Sequence, residues 1–316
     1  MQVPQDLADY RGMSPRPDDF DAYWERALGA LEAADPAVEI VPADFDTTLF
    51  ACDDVWFTGV GGARLHAKMV RPRHVTGPSA ATVYYHGSTL RAPDWFYLVG
   101  FAANGHTVVA LDCRGQAGES DDVGVVKGWT QGGFVTRGLA DVPDKLYYRD
   151  VYLDTAQIAR IVMGLPWVDG DRVGVTGGSQ GGALAVAAAA LEPRVRRVAI
   201  FNPGNADFRW HWRGGANPTE TYGDLREWLR AYDPLHERVD AMFTRLGYID
   251  AVHLAPRVRA ESLLATAFSD RVCPPATQMA VYNGLPDPKR LVVYPDHGHE
   301  SLPGLNNLLA DFLGEL

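Results

Sequence analysis

A chain of 316 residues, 47% of them hydrophobic, can bury a large core, either as one α/β domain with insertions or as two smaller domains. Its 29 basic and 40 acidic side chains give a net charge of -11. That sign argues against nucleic acid or anionic lipid as a partner, because both are bound through basic patches. Cys52, Cys113 and Cys273 are too few and too scattered for a disulfide framework or a CxxC metal site.

In chain order, the segment Pro17 to Ala34 carries Phe20, Tyr23, Trp24, Leu28 and Leu31 on one stripe, which predicts an amphipathic helix. Two strands are expected next, DDVWFTGV (53–60) and RLHAKMVRP (64–72). Gly61-Gly62 between them signals a hairpin, so the sheet should begin antiparallel. After Pro78, short apolar runs alternate with helical stretches. The expected strands are ATVYYH (81–86), HTVVALD (106–112), RVGVTG (172–177), VRRVAIFN (195–202), SLLATAF (262–268) and RLVVYP (290–295). Helices are expected near Trp95–Ala103, Tyr148–Met163, Gln180–Leu191, Pro275–Tyr282 and Gly304–Leu316. This alternation implies an α/β fold with a mostly parallel sheet covered on both faces. Functional residues are then expected beyond the carboxyl ends of the strands.

The stretch from Asn205 to Pro256 breaks the rhythm, being aromatic and polar and then helical through HERVDAMFTRLGYID. It is expected to be an insertion (about 205–256) over the active edge of the sheet. Residues 1–316 are read as one domain, with an N-terminal helix and hairpin extension over about 1–75. The opening residues hold no basic region followed by an apolar one, and the most apolar run, ALAVAAAAL, is too short to cross a bilayer. The expectation is a reduced, cytoplasmic protein that does not engage membranes.

Gly177-Gly178-Ser179-Gln180-Gly181 matches G-x-S-x-G between an expected strand and an expected helix. In that context the pattern marks a sharp turn that exposes a nucleophilic serine; without it, the run would be an ordinary glycine-rich turn. An aliphatic hydroxyl needs a base, usually histidine oriented by a carboxylate, and in this architecture the chain order is Ser, Asp or Glu, then His. Asp270 follows the strand 262–268, and Asp296-His297-Gly298-His299-Glu300 follows the last strand. Asp270 fits the acid, although a helix cap before Pro275 would use the same residue type. Spacing alone leaves His297 and His299 both open as the base. With Glu300 they also suggest metal ligands, but a zinc site wants three or four and no further cluster accompanies them.

Acyl transfer also needs donors to a tetrahedral oxyanion. The Gln180 amide, following the serine, is one; the Ser88 amide in His86-Gly87-Ser88, at the end of an early core strand, is the other candidate. Arg114, in the run Asp112 to Gln116 after another strand, reads as a structural ion-pair partner near the site rather than a catalyst. Cys113 and Cys273 read as small buried residues away from the elbow. Trp210, His211, Trp212, Tyr222 and Trp228 fit either a sugar-stacking surface or packing within the insertion.

Together Arg114-Gly115-Gln116, Gly177 to Gly182 and His299-Glu300 resemble the RGQ, GxSQG and HE motifs of carbohydrate esterase family 7, which contains acetyl xylan esterases and cephalosporin C deacetylases. RPDDFDAYWERAL (16–28), FVTRGL (134–139), YYRDVYLD (147–154) and SDRVCPP (269–275) extend the resemblance over nearly the whole chain. It implies an α/β-hydrolase fold, a triad of Ser179, His299 and Asp270, and Arg114 and Gln116 as organisers of the site. It implies removal of acetyl groups from short acetylated sugars, with cephalosporin C as a second substrate, without metal or organic cofactor. It further implies a homo-oligomer, commonly a hexamer in that family, whose internal cavity excludes polymeric xylan. The rivals are a hydrolase of lactones or peptides and a silent binding relative. Members of the family usually carry tyrosine after the His-Gly of the oxyanion loop, where this chain has Ser88, so broader acyl tolerance is expected here.

Overall fold

The computed structural model describes residues 3–128, 133–214 and 222–316. A short helix α1 (Gln5–Ala8) precedes α2 (Phe20–Glu32), which buries Phe20, Tyr23, Trp24, Ala27 and Leu31. Leu28 of the expected stripe is only half-buried, because Ala27 takes the inward position. Strands β1 (Glu39–Pro42), β2 (Phe50–Thr58) and β3 (Arg64–Pro72) form an antiparallel meander. β1 has no counterpart among the expected strands: four residues with a proline and a half-exposed pattern carry little β signal.

From β4 (Ser79–Tyr85) onward the strands run parallel: β5 (Thr107–Leu111), β6 (Val168–Gly178), β7 (Arg197–Phe201), β8 (Glu261–Ala267) and β9 (Lys289–Tyr294). Between and after them lie α3 (Trp95–Ala102), α4 (Tyr147–Met163), α5 (Gln180–Leu191), α6 (Phe208–Arg213), α7 (Gly223–Tyr232), α8 (Val239–Leu246), α9 (Ala251–Leu254), α10 (Pro275–Gly284) and α11 (Leu305–Gly314). The nine-stranded sheet has the order β1-β2-β3-β5-β4-β6-β7-β8-β9. The chain therefore leaves β4 toward one edge and, after β5, crosses back to β6 on its other side. The loops after β4 and β6 diverge, and a crevice opens where the strand order reverses.

Every residue of α5 is buried, against β6, β7 and α4. This explains its alanine run: a helix enclosed on all sides has no polar face, and small side chains let it approach the sheet closely. α6 to α9 lie between β7 and β8, in the stretch read from the sequence as an insertion. The N-terminal segment fastens to it. Tyr10 Oη, the Ser14 hydroxyl and the amides of Met13 and Ser14 all donate to the buried carboxylate of Asp207. Among the described residues, no helix is long and apolar enough to cross a membrane.

Candidate active site

Ser179 sits between β6 and α5 with φ 56° and ψ -126°, a conformation that costs a non-glycine residue about 1–3 kcal/mol. The glycines around it do not take positive φ themselves; they supply space. A Cβ on Gly181 would lie 2.0 Å from the Tyr85 carbonyl oxygen, and one on Gly178 would lie 1.9 Å from the Phe201 ring. The turn is held by the Ser179 amide, which donates to Phe201 O at 3.1 Å, and by the Gly204 amide, which donates to Ser179 O at 2.8 Å. Surrounding structure thus over-determines the strained serine.

Asp270, 3% exposed, follows β8, and His299 follows β9. His299 Nδ1 lies 2.8 Å from Asp270 Oδ2, while Oδ1 accepts the amides of Val272 and Cys273 at 2.8 and 2.9 Å. Gln278 Nε2 donates to Oδ2 at 3.2 Å. The carboxylate is therefore oriented from three sides and presents one oxygen to the imidazole. His297, the other histidine that spacing left open, packs edge-on against Tyr294 with ring centroids 5.7 Å apart. Its carbonyl accepts the Ser269 amide at 2.9 Å, which steadies the loop that carries Asp270.

Two cavities meet at Ser179 and His299. One, of about 410 Å³, is walled by Ser88, Phe134, Tyr148, Gln180, Tyr222 and Val272. The other, of about 340 Å³, runs past Tyr84, Tyr97, Phe201 and Leu302. Among the described residues, no acceptor takes the backbone N–H of Ser88 or of Gln180, so both amides are available to a bound oxygen.

The run Arg114-Gly115-Gln116 divides three tasks. Arg114, 2% exposed, is clamped by Asp154 on α4 through two contacts of 2.7 Å and donates to Val60 O. Gly115 has φ 62°, and a Cβ there would come within 2.8 Å of Asp122. Gln116 then reaches the site. Its Oε1 accepts the Thr89 amide at 2.8 Å, its Nε2 donates to Gln180 Oε1 at 2.9 Å, and Gln180 Nε2 donates back at 3.2 Å. Tyr148 Oη donates to the same Gln180 oxygen at 2.8 Å. Gln116 therefore ties the loop after β4 to the residue after Ser179, so both candidate oxyanion donors are held relative to one another. Replacing it with leucine should lower kcat about tenfold at unchanged KM, less than the 10²–10³ expected for deleting a donor. A shift in KM alone, measured on the same ester, would contradict that reading.

The insertion contributes only in part. Tyr222 lines the larger cavity and its hydroxyl accepts the Asn205 amide at 2.7 Å. His211 is buried with its ring 3.9 Å from that of Tyr222, Trp212 packs on Phe243, and Trp228 stacks on Tyr232. Of the aromatic cluster, Tyr222 alone reaches the cavities; the others pack within the insertion, whose residues 215–221 lie outside those described.

Cys273 corrects a sequence expectation. It is buried, as expected, yet it sits against the elbow: its sulfur lies within 4.8 Å of ligand atoms of both Asp270 and His299, and beside the Ser179 side chain. Burial pushes its thiol well up, so it stays protonated and is a poor metal ligand here. Cys113 also touches the elbow, accepting from Gln180 Nε2 at 3.8 Å. Sequence spacing carried no sign of either contact, because the thiols arrive on loops after β8 and β5.

A nine-stranded sheet antiparallel at its start, helices on both faces and a strained serine at the β6–α5 junction are those of an α/β-hydrolase. The profile of the family described as Acetyl xylan esterase (AXE1) matches residues 2–316. Acetyl xylan esterase 1 from Thermoanaerobacterium sp. JW/SL YS485 is 44% identical, covering 100% of this chain and 99% of its own, with a TM-score of 0.96. The acetyl xylan esterase from Paenibacillus sp. R4 is 31% identical over 99% of both chains, with a TM-score of 0.94. Acetyl esterase Axe7A of Xylanibacter ruminicola is 27% identical over 296 residues, and this chain, 90% of which is aligned, spans only 63% of that relative's length. The chain belongs to the acetyl xylan esterase family, a family of carboxylic ester hydrolases.

Proposed function

We propose that the protein is a serine esterase that removes acetyl groups from short acetylated sugars, with the acetoxy group of cephalosporin-type compounds as a second substrate class. The observation that carries this reading is the meeting of Ser179 with the Asp270–His299 pair and two unengaged amides in one cavity. Asp270 holds the Nδ1–H of His299, leaving Nε2 to accept the Ser179 proton as Oγ attacks the ester carbonyl. The amides of Ser88 and Gln180 stabilise the oxyanion. The tetrahedral intermediate collapses, the alcohol leaves with the proton from His299, and an acetyl-serine remains. Water, deprotonated by the same imidazole, attacks that ester and releases acetate. Neither metal nor organic cofactor enters these steps.

Family resemblance also favours self-association, and the exposure of Leu90, Phe96 and Tyr97 near the cavity mouth supports it. Three buried, unpaired cysteines are in keeping with a reduced, cytoplasmic setting.

The deciding experiment measures acid release from acetylated xylo-oligosaccharides, polymeric acetyl xylan, cephalosporin C, longer acyl esters, lactones and peptides. Release from the oligosaccharides with little from the polymer is expected; preference for lactones or peptides would overturn the reading. On the same panel, Ser88→Tyr should lower the butyryl-to-acetyl ratio of kcat/KM about tenfold, since a methylene or two of lost pocket space is worth that much. An unchanged ratio would remove Ser88 as a determinant of acyl size.

A further inference from the structure

His86 directly follows β4 and is 2% exposed, without reaching either cavity at Ser179. Both ring nitrogens are engaged. Nε2 lies 3.0 Å from the backbone nitrogen of Cys113, and Nδ1 lies 2.7 Å from the carbonyl oxygen of Gly87. A backbone amide only donates, so Nε2 must be the bare acceptor; Nδ1 then carries the proton and donates to Gly87 O. An imidazolium would set two N–H groups against each other at Cys113. Burial acts in the same direction, lowering the pKa of the ring.

The consequence lies one bond further on. The Gly87–Ser88 peptide is trans, so its carbonyl and its N–H point in opposite directions. With Gly87 O held by His86 Nδ1–H on one side, and taking the Leu90 amide at 3.2 Å as well, the Ser88 N–H is turned away from the ring. Ser88 itself lines the cavity shared with Ser179 and Gln180. Thr89 next to it, at φ 63°, is held by Gln116. The loop is thus fixed from both ends of one short segment.

We propose that His86 is a positioning residue for ester hydrolysis: as its neutral Nδ1–H tautomer, braced on the Cys113 amide, it sets the Gly87–Ser88 peptide plane so that the Ser88 N–H meets the oxyanion. This rests on the reading of the Ser88 amide as an oxyanion donor. His86 touches neither substrate nor reacting atoms, and its effect belongs to the transition state.

Asparagine and glutamine separate its two contacts. Asparagine carries an N–H near the Nδ1 position and keeps the bond to Gly87 O, whereas glutamine carries an oxygen near the Nε2 position and keeps the bond to the Cys113 amide. His86→Gln should lose about 10²-fold in kcat at unchanged KM, while His86→Asn stays within about tenfold of the parent enzyme. Equal kcat in both variants, or equal losses matched by equal thermal destabilisation, would overturn the proposal and leave His86 a packing residue. Should the glutamine variant not fold, histidine ¹⁵N shifts of the intact enzyme remain decisive: His86 must show a protonated Nδ1 and a bare Nε2, and an Nε2–H tautomer or an imidazolium near neutral pH rules it out. Ser88→Pro, which lacks the amide proton, tests the underlying reading. Parent-like turnover there would overturn the oxyanion role of Ser88, whereas its collapse beside an active His86→Gln would overturn only the role of His86.

Discussion

Replacing Ser179 with alanine is expected to lower kcat for p-nitrophenyl acetate by about 10⁶-fold while leaving the fold intact. Alanine adds no atoms at the elbow, and the strained φ of 56° is imposed by the surrounding bonds rather than by the hydroxyl. The residual rate would come from binding and the oxyanion amides alone. His299→Ala should fall to a similar level, because an alcohol without its base is barely nucleophilic at neutral pH. His297→Ala should remain near the parent rate, since its ring packs on Tyr294 and only its backbone carbonyl steadies the Asp270 loop. Near-parent turnover by the Ser179 variant, or collapse with His297 in place of His299, would refute the proposed chemistry.

The second large effect is on stability. Arg114→Met should cost about 3–5 kcal/mol, because it removes the counter-charge from a fully enclosed carboxylate. The side chains of Arg114 and Asp154 are each 2% exposed, so little solvent screens the pair. Burial raises the Asp154 carboxyl to about 6 even against the pull of Arg114. A folded-state value above the ordinary 3.8 means that the folded chain binds this proton more tightly than the unfolded one. The stabilisation Asp154 contributes by taking up a proton is therefore full below about pH 4 and is lost as pH rises through about 6. Without Arg114 the carboxyl shifts further up, so the variant's deficit should be smaller near pH 5 than near pH 8. Urea unfolding at both pH values measures it. A deficit that is equal at both, or under about 1 kcal/mol, the scale of a surface pair, would show that the clamp is not the anchor of the Arg114–Gln116 turn.

Because Gln116 is two residues from that clamp, Arg114→Met should also lower kcat in the fraction that remains folded. The arginine acts through the backbone turn it holds: Tyr147 Oη donates to Arg114 O at 2.5 Å and accepts from Gln116 Nε2 at 3.1 Å. This is the structural ion-pair role read from the sequence, now with named partners. Its effect on chemistry passes through Gln116 and the two amides that Gln116 ties together.

Much of the molecule was legible in one dimension because its signals are local. Apolar runs of strand length between helical stretches announced a parallel sheet, and the helix expected near Gln180–Leu191 forms over those residues, directly after its elbow. The elbow, Asp270 and the two histidines could be found because each lies just after an apolar strand, where this architecture gathers its chemistry. β1 was missed because its four residues are ordered by pairing with β2, a contact made in space. The choice between His297 and His299 came from family resemblance rather than from spacing, since two histidines two residues apart carry the same local signal. The bond from His299 Nδ1 to Asp270 Oδ2 separates them in three dimensions.

What the sequence determined by itself was the inventory: an α/β chain, a serine at a strand–helix turn, an aspartate and two histidines just after later strands, and a helical stretch before the last two strands. Tertiary structure alone decided which side chains meet. Cys273 at the elbow, Tyr222 as the one member of its aromatic group facing the cavities, Gln116 bridging two loops, and His86 holding a peptide plane all join residues tens of positions apart. Periodicity and turn chemistry are written into neighbouring residues, whereas these contacts depend on sheet order and on loops leaving different strands at one edge, and no short window of sequence encodes that geometry.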